Sequence, residues 1–167
     1  MNQTINNLFK FVFIIICTQL QFAFADAPDW EYTSGDYEFT SWILAGTILD
    51  SDGNNLAESG DLFAAFDADG TVRGLAVQVT GFGPTDGQIM YEMTMGSNAN
   101  GDILSFQYYD ASEDVVLGIA ETYEFVTNDT QGGLTAPVVY NAAAIVEGCT
   151  DISAINYDPD ANLDDGS

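Results

Sequence analysis

The feature that most limits the fold is a succession of short apolar stretches, each followed by a turn-forming segment. The first of them, Tyr37–Leu49, is rich in β-branched and aromatic residues, as strands are. No amphipathic helical pattern follows residue 25. We therefore expect an all-β fold, an antiparallel β-sandwich of about eight or nine strands, with a closed barrel as the alternative. The predicted strands are 37–49, 62–66, 72–80, 88–95, 103–109, 115–119, 122–126 and 134–144.

The segment from Gly60 to Gly74 is the clearest hairpin in the chain. An apolar strand is followed by the turn Asp67–Gly70, and a return strand begins at Val72. The period-two pattern predicts that this return strand continues to Thr80 with Leu75, Val77 and Val79 on a buried face.

In the last strand, Pro137 has no backbone N–H to donate to a neighbouring strand. We therefore expect that strand to lie at an edge of its sheet.

Arg73, in the hairpin, is the only cationic residue after residue 25, whereas all 26 acidic residues lie there. We interpret it as a structural counter-ion whose partner is Asp61 or Asp67 in the hairpin, or Asp110 at a strand end. The alternative is a clamp for an acidic ligand. The negative charge of the chain would repel such a ligand, so the structural role is favoured.

Residues 1–25 have the pattern of a secretory signal peptide. Lys10 provides a positive start, an apolar run follows, and Ala23–Ala25 forms a small-x-small site with cleavage expected before Asp26. The uninterrupted apolar run is too short for a membrane span, which needs about 20 residues. We expect a secreted or cell-surface protein without a membrane span after cleavage.

The formal net charge of −24 argues against nucleic acid and anionic lipid as partners, because both require a basic surface. An aromatic content of 13% and a hydrophobic content of 47% predict a folded domain rather than an acidic disordered chain. The chain has no histidine, no lysine after residue 10 and no nucleophile motif. We expect that it is not an enzyme.

Several short signatures occur in a fixed order along the predicted β domain. Together they resemble an uncharacterised β-sandwich module of secreted, multidomain surface proteins from marine and Bacteroidetes-type bacteria. The resemblance implies a location more than an activity. The signatures are Trp30, YEFT (37–40), DSDG (50–53), GDLFAAF (60–66), Arg73-Gly74, GDILSFQYYD (101–110) and Glu121-Thr122.

A second resemblance covers GCTDISAINYDPDANLDDGS (148–167), which is similar to a "GCTD…NYDP…DDGSC" repeat found in tandem in such proteins. In that family a cysteine opens and closes the repeat, so the resemblance implies a partner for Cys149 just beyond Ser167. We expect that the chain continues into further repeats. The expected organisation is a signal peptide (1–25), a β-sandwich domain (26–146) and the start of an acidic repeat (147–167).

The tail is a candidate calcium site because its side-chain oxygens alternate along the chain, and Ca²⁺ prefers hard oxygen ligands. The pattern resembles the start of an EF-hand loop without its spacing or closing glutamate. The alternative is a solvated acidic linker. The turns at 50–54 and 67–70 are weaker candidates, since Asp-x-Asp-Gly is common in hairpins. The predicted ligands in the tail are Asp158, Asp160, Asn162, Asp164 and Asp165.

Aromatic side chains could form a sugar-stacking platform, although most are needed in the core. Trp30, near the start, is the candidate for an exposed ligand contact, and Trp42 is expected to be buried in mid-strand.

The predicted function is a non-catalytic binding or adhesion module for an extracellular glycan or protein. One alternative is a structural subunit that assembles with copies of itself through an edge strand. Another is a carbohydrate-binding module of a larger secreted protein.

Overall fold

The structure is a computed structural model that describes residues 27–149, 152–159, 161, 163–164 and 166. The predicted signal peptide lies outside the described residues, as do the predicted calcium ligands Asp160, Asn162 and Asp165. Within the part of the chain that is described, no helix is long and apolar enough to cross a membrane.

The described residues form strands and a single 3-10 turn at Gly83–Thr85, so the predicted all-β class is confirmed. The turn-rich segments lie between strands, as their glycine, aspartate and asparagine content predicts. The strands are β1 (Phe39–Leu49), β2 (Leu62–Phe66), β3 (Val72–Leu75), β4 (Val77–Thr80), β5 (Ile89–Ser97), β6 (Ile103–Asp110), β7 (Val115–Ile119), β8 (Tyr123–Glu124), β9 (Thr130–Gln131), β10 (Val138–Ala144), β11 (Glu147–Gly148) and β12 (Leu163–Asp164).

Ten strands form one sheet in the order β3-β2-β6-β7-β10-β1-β5-β4, with β8 paired to β6 and β9 paired to β1. β1 runs parallel to β10 and β9, and the other pairs in this sheet are antiparallel. The sheet is therefore mixed and nearly barrel-shaped. The prediction of a wholly antiparallel sheet was wrong, and the two-sheet sandwich is not confirmed. β11 and β12 form a separate two-stranded sheet.

The two ends of the strand order, β3 and β4, are consecutive in the chain and are separated only by Ala76. The Ala76 N–H donates to the carbonyl of Phe63 at 2.9 Å. At this residue the chain leaves β3, which pairs with β2, and enters β4, which pairs with β5. A methyl group at Gly74 would lie 2.9 Å from the Thr94 carbonyl oxygen, so only glycine lets β3 lie this close to β5. This crossing nearly closes the barrel.

The crossing corrects the prediction of one continuous return strand with a single buried face. Val77 is 61% exposed and Val79 is half-buried. The reason is that β4 pairs with β5 and not with β2. The alternating residues of β4 are therefore oriented by a different edge of the sheet from those of β3.

The core fills the barrel. Phe63 lies at its centre, with ring centroids 5.0–5.6 Å from those of Tyr140, Phe106 and Tyr91. Burying one such aromatic side chain contributes about 1.5–3 kcal/mol. The buried cluster consists of Ile43, Ile48, Phe63, Ala65, Tyr91, Met93, Met95, Leu104, Phe106, Tyr108, Ile119, Phe125 and Tyr140.

Pro137 does not place the last strand at an edge. β10 lies between β7 and β1, and it begins at Val138, immediately after the proline. Because Pro137 precedes the paired residues, its missing N–H removes no hydrogen bond from the ladder.

Candidate ligand-binding site

An open cleft of about 360 Å³ lies on the outer face of β1, β5 and β4. Its walls combine aromatic, aliphatic and polar side chains, and a glutamate is the charged residue among them. Concave, partly apolar sites with a few polar groups are the usual form of ligand sites. The lining residues are Tyr32, Ser34, Trp42, Ile43, Leu44, Leu75, Val77, Glu92, Met93 and Thr94.

The register of the strands explains why these side chains meet. Trp42 on β1 pairs with Thr94 on β5, and Glu92, two residues earlier on β5, pairs with Val77 on β4. Alternate residues of a strand face the same side, so these four side chains share the outer face while Ile43 is buried inside the barrel. Three adjacent strands thus supply most of the cleft, and Leu75 of β3 and the segment before β1 complete its lining.

Glu92 is half-buried at the floor of the cleft. Among the described residues it has neither a hydrogen bond nor an ion pair through its carboxylate. Leu44 and Val77 are 45% and 61% exposed on either side of it. The cleft therefore offers an unpaired carboxylate between apolar walls.

Trp42 is not buried, contrary to the sequence prediction, but half-buried in the wall of the cleft. The reason is that its neighbour Ile43 takes the inward position. Trp30, the predicted ligand contact, is half-buried and packs edge-to-face on Phe66, with ring centroids 5.3 Å apart. It does not line the cleft.

Tyr32 in the cleft wall belongs to a stack of three side chains. Its ring is nearly parallel to that of Tyr37, with centroids 6.2 Å apart, and the Arg73 guanidinium carbon lies 4.4 Å from the Tyr37 centroid. A Cβ atom at Gly96 would lie 2.4 Å from the Tyr37 ring and 2.9 Å from the Tyr32 hydroxyl. Glycine at this position of β5 makes room for both tyrosines.

Arg73 is buried, and its guanidinium donates hydrogen bonds to three partners. Nε donates to the Gly96 carbonyl at 2.9 Å, Nη1 to Asp67 Oδ2 at 2.9 Å, and Nη2 to Asp102 Oδ2 at 3.1 Å. Of the proposed partners, the structure places Asp67 at the arginine. Asp102, which the sequence analysis did not single out, is the second carboxylate.

Asp61 and Asp110, the other two proposed partners, bind elsewhere. The buried Asp61 carboxylate accepts hydrogen bonds from the Tyr108 hydroxyl and from the N–H of Ala111, the latter at 2.9 Å. Burial and this bond to Asp61 raise the pKa of Tyr108 far above its usual range. Asp110 caps the turn that follows β6, accepting the N–H of Ser112 at 2.9 Å. Pairing of Arg73 with either aspartate was therefore wrong.

The carboxylates of the two candidate acidic turns hold the turns themselves. Asp67 Oδ1 accepts the N–H groups of Asp69 and Thr71 at 3.0 and 2.8 Å. Asp50 Oδ1 likewise accepts from Asp52 at 2.9 Å and from Asn54 at 2.8 Å. Both have the geometry of the ordinary hairpin turn.

These bonds also set the acidity of Asp67. Burial alone would raise the pKa of the Asp67 carboxyl, but the Thr71 N–H and the Arg73 guanidinium outweigh burial. The pKa therefore lies below its ordinary value.

In the tail, Asp158 is half-buried, and its N–H donates to the Cys149 carbonyl at 2.9 Å. Asp164 lies in β12, paired with Gly148. Within the described residues, no three histidine, cysteine, aspartate or glutamate side chains are grouped to hold a metal. Since three of the five predicted ligands lie outside that part, the calcium site stays a prediction.

The sequence analysis missed Leu44, Val77 and Glu92 as cleft residues. In the run WILAGTIL (42–49) apolar residues occupy both faces, so alternation does not identify the outward one. The single charged position in IMYEMTM, which lies between buried residues, was the available signal for Glu92.

Comparisons of this chain with protein-family models, with curated proteins and with solved structures find no match.

Proposed function

We propose that the chain after residue 25 is a non-catalytic binding module, secreted or at the cell surface, and that the cleft over β5 holds its ligand. One observation carries the proposal: Leu44 and Val77 expose apolar surface on either side of the half-buried Glu92, and the half-buried Trp42 lines the same cleft. Apolar walls with few polar groups are typical of ligand-binding sites.

The composition supports a non-catalytic role. The chain contains no histidine, and its buried arginine is already engaged by two aspartates. The buried Asp61 and Tyr108 bind each other inside the barrel, away from the cleft. A general acid or base must reach the reacting atom, and among the described residues Glu92 is the one carboxyl group that lines the cleft.

The test uses the chain from Asp26 to Ser167 on arrays of extracellular glycans and of immobilised peptides. The double variant Leu44→Ser/Val77→Ser makes both cleft walls polar. The matched control Val126→Ser/Val139→Ser changes two valines outside the cleft. Their exposure is similar, 48% and 43%.

We expect the wild type to be retained on a defined subset of the array. The cleft variant should lose at least about tenfold in affinity, or 1.4 kcal/mol, and the control should match the wild type. If the cleft variant is retained as strongly as the wild type, the ligand binds outside the cleft. Absence of retention on every glycan and peptide would overturn the binding function.

The second candidate is a subunit that assembles with copies of itself. In the described part of the chain β4 pairs only with β5, and a strand with one free edge can accept another strand. Electron microscopy and sedimentation of the purified chain test this candidate. Filaments or concentration-dependent oligomers would support assembly, and monomers at all concentrations would exclude it.

A further inference from the structure

We propose that the cleft over β5 binds an organic cation, an ammonium group carried on an apolar stem, between Trp42 and Glu92. This inference rests on the proposed function and names the chemistry of its ligand.

The first observation is that the described residues offer Glu92 no free cation. Arg73 is the sole cationic side chain in the described residues, and it is buried and bound to Asp67 and Asp102. A partly buried carboxylate without a counter-ion is unfavourable. In the described part of the chain, the Glu92 carboxylate is therefore free to pair with a cation that a ligand carries.

The second observation is the position of Trp42. Trp42 pairs with Thr94, and Glu92 lies two residues from Thr94 on the same face, so Trp42 and Glu92 are diagonal neighbours. Such neighbours have Cα atoms about 7–8 Å apart, a separation that long side chains can bridge. Tryptophan is the strongest aromatic partner for a cation. One ammonium can thus contact an indole and a carboxylate together.

The third observation is the charge of the whole chain. The formal net charge of −24 attracts cations to the cleft and repels anions from it. The exposed Leu44 and Val77 supply apolar surface for the stem that carries the ammonium. The same surface contributes nothing to binding of a hydrated metal ion, which has no apolar part to bury.

The test measures dissociation constants by isothermal titration calorimetry with the chain from Asp26 to Ser167. n-Butylammonium is compared with n-butanol, which has the same stem without the charge, and with butyrate, which reverses the charge. Nα-acetyl-lysine amide and tetramethylammonium separate two sources of the cation, a lysine side chain of a protein and a free quaternary amine.

Two pairs of variants locate the binding. Glu92→Gln removes the cleft carboxylate, and Glu124→Gln removes an exposed carboxylate on β8 as a control for overall charge. Trp42→Leu removes the cleft indole, and Trp30→Leu removes the indole that packs on Phe66. Each variant is first shown to unfold at a temperature near that of the wild type.

We expect n-butylammonium to bind at least about tenfold tighter than n-butanol, with no detectable binding of butyrate. Glu92→Gln and Trp42→Leu should each weaken binding several-fold, whereas both control variants stay within twofold of the wild type.

Equal affinity for the amine and the alcohol would overturn the inference, as would equal losses in Glu92→Gln and Glu124→Gln. If no ammonium compound binds, but binding of neutral glycans or peptides still requires Leu44 and Val77, then the proposal of a cationic ligand is wrong and the binding function stands. If neither group of ligands binds, both proposals fail.

Discussion

The guanidinium of Arg73 lies over the ring of Tyr37, with its carbon 4.4 Å from the ring centroid. Tyr37 in turn stacks on Tyr32, which forms part of the cleft wall. The one arginine of the described chain therefore links the hairpin to the candidate site. Cation–π contact adds to the two ion pairs in fixing this position.

Replacing Gly96 tests the packing beneath this stack. Gly96→Ala places a methyl group 2.4 Å from the Tyr37 ring, so the ring must move and the variant should lose about 1–3 kcal/mol of unfolding free energy. Gly133→Ala is the matched control, because nothing lies within 4 Å of a Cβ there and its φ is not positive. Urea unfolding measures both, and equal stability of the two variants would contradict the packing.

Arg73 should be indispensable to stability. Arg73→Gln leaves Asp67 and Asp102 without a counter-ion, and we expect a loss of about 2–3 kcal/mol in the free energy of unfolding. Arg73→Lys keeps the charge but loses the planar guanidinium that reaches three partners. Its free energy of unfolding should therefore lie between those of the wild type and Arg73→Gln. Thermal or urea unfolding gives the order; a glutamine variant as stable as the wild type would refute the structural role.

The hairpin carboxylate Asp67 should make stability depend on acid. Its folded pKa lies below its unfolded value, which is about 3.9, so its stabilisation is present above that pH. The stabilisation is lost as the pH falls through the folded pKa. The gap in unfolding free energy between wild type and Asp67→Asn should therefore be widest at pH 6 and shrink below about pH 4. A gap that does not change between pH 6 and pH 2.5 would show that Asp67 is not held by Arg73.

The all-β class and the hairpin follow from local patterns, since apolar stretches and turn residues are adjacent in the sequence. The parallel pairing of β1 with β10 does not, because it joins Gly46 to Val138 across most of the chain. Asp102 could not be found either. It is 29 residues from Arg73 and meets it only when β6 and β3 are brought together on either side of β2.

The candidate site was harder to predict than the fold. Its residues come from four strands and the segment before β1, and each strand is ordinary by itself. The orientation of Trp42 depends on which face of β1, apolar on both faces in this stretch, turns inward. Ile43 joins the buried cluster that contains Phe63 and Tyr91, so tertiary packing and not local sequence makes that choice.

Calcium binding by the tail remains open to a direct measurement. If the predicted ligands Asp158 to Asp165 hold Ca²⁺, millimolar Ca²⁺ should raise the melting temperature and a chelator should reverse the rise. Mg²⁺ at the same concentration controls for general screening of the acidic surface. An equal rise in melting temperature with both ions, or no rise, would contradict a specific calcium site in the tail.

We propose the cleft over β5 as the place where this protein binds its ligand. The most direct measurement is an NMR titration of the ¹⁵N-labelled chain with n-butylammonium, following the backbone amides residue by residue. We expect saturable shifts concentrated at Trp42, Val77, Glu92 and Thr94, with the Asp50 turn unchanged. Shifts spread evenly over the acidic turns, without saturation at the cleft, would contradict the claim.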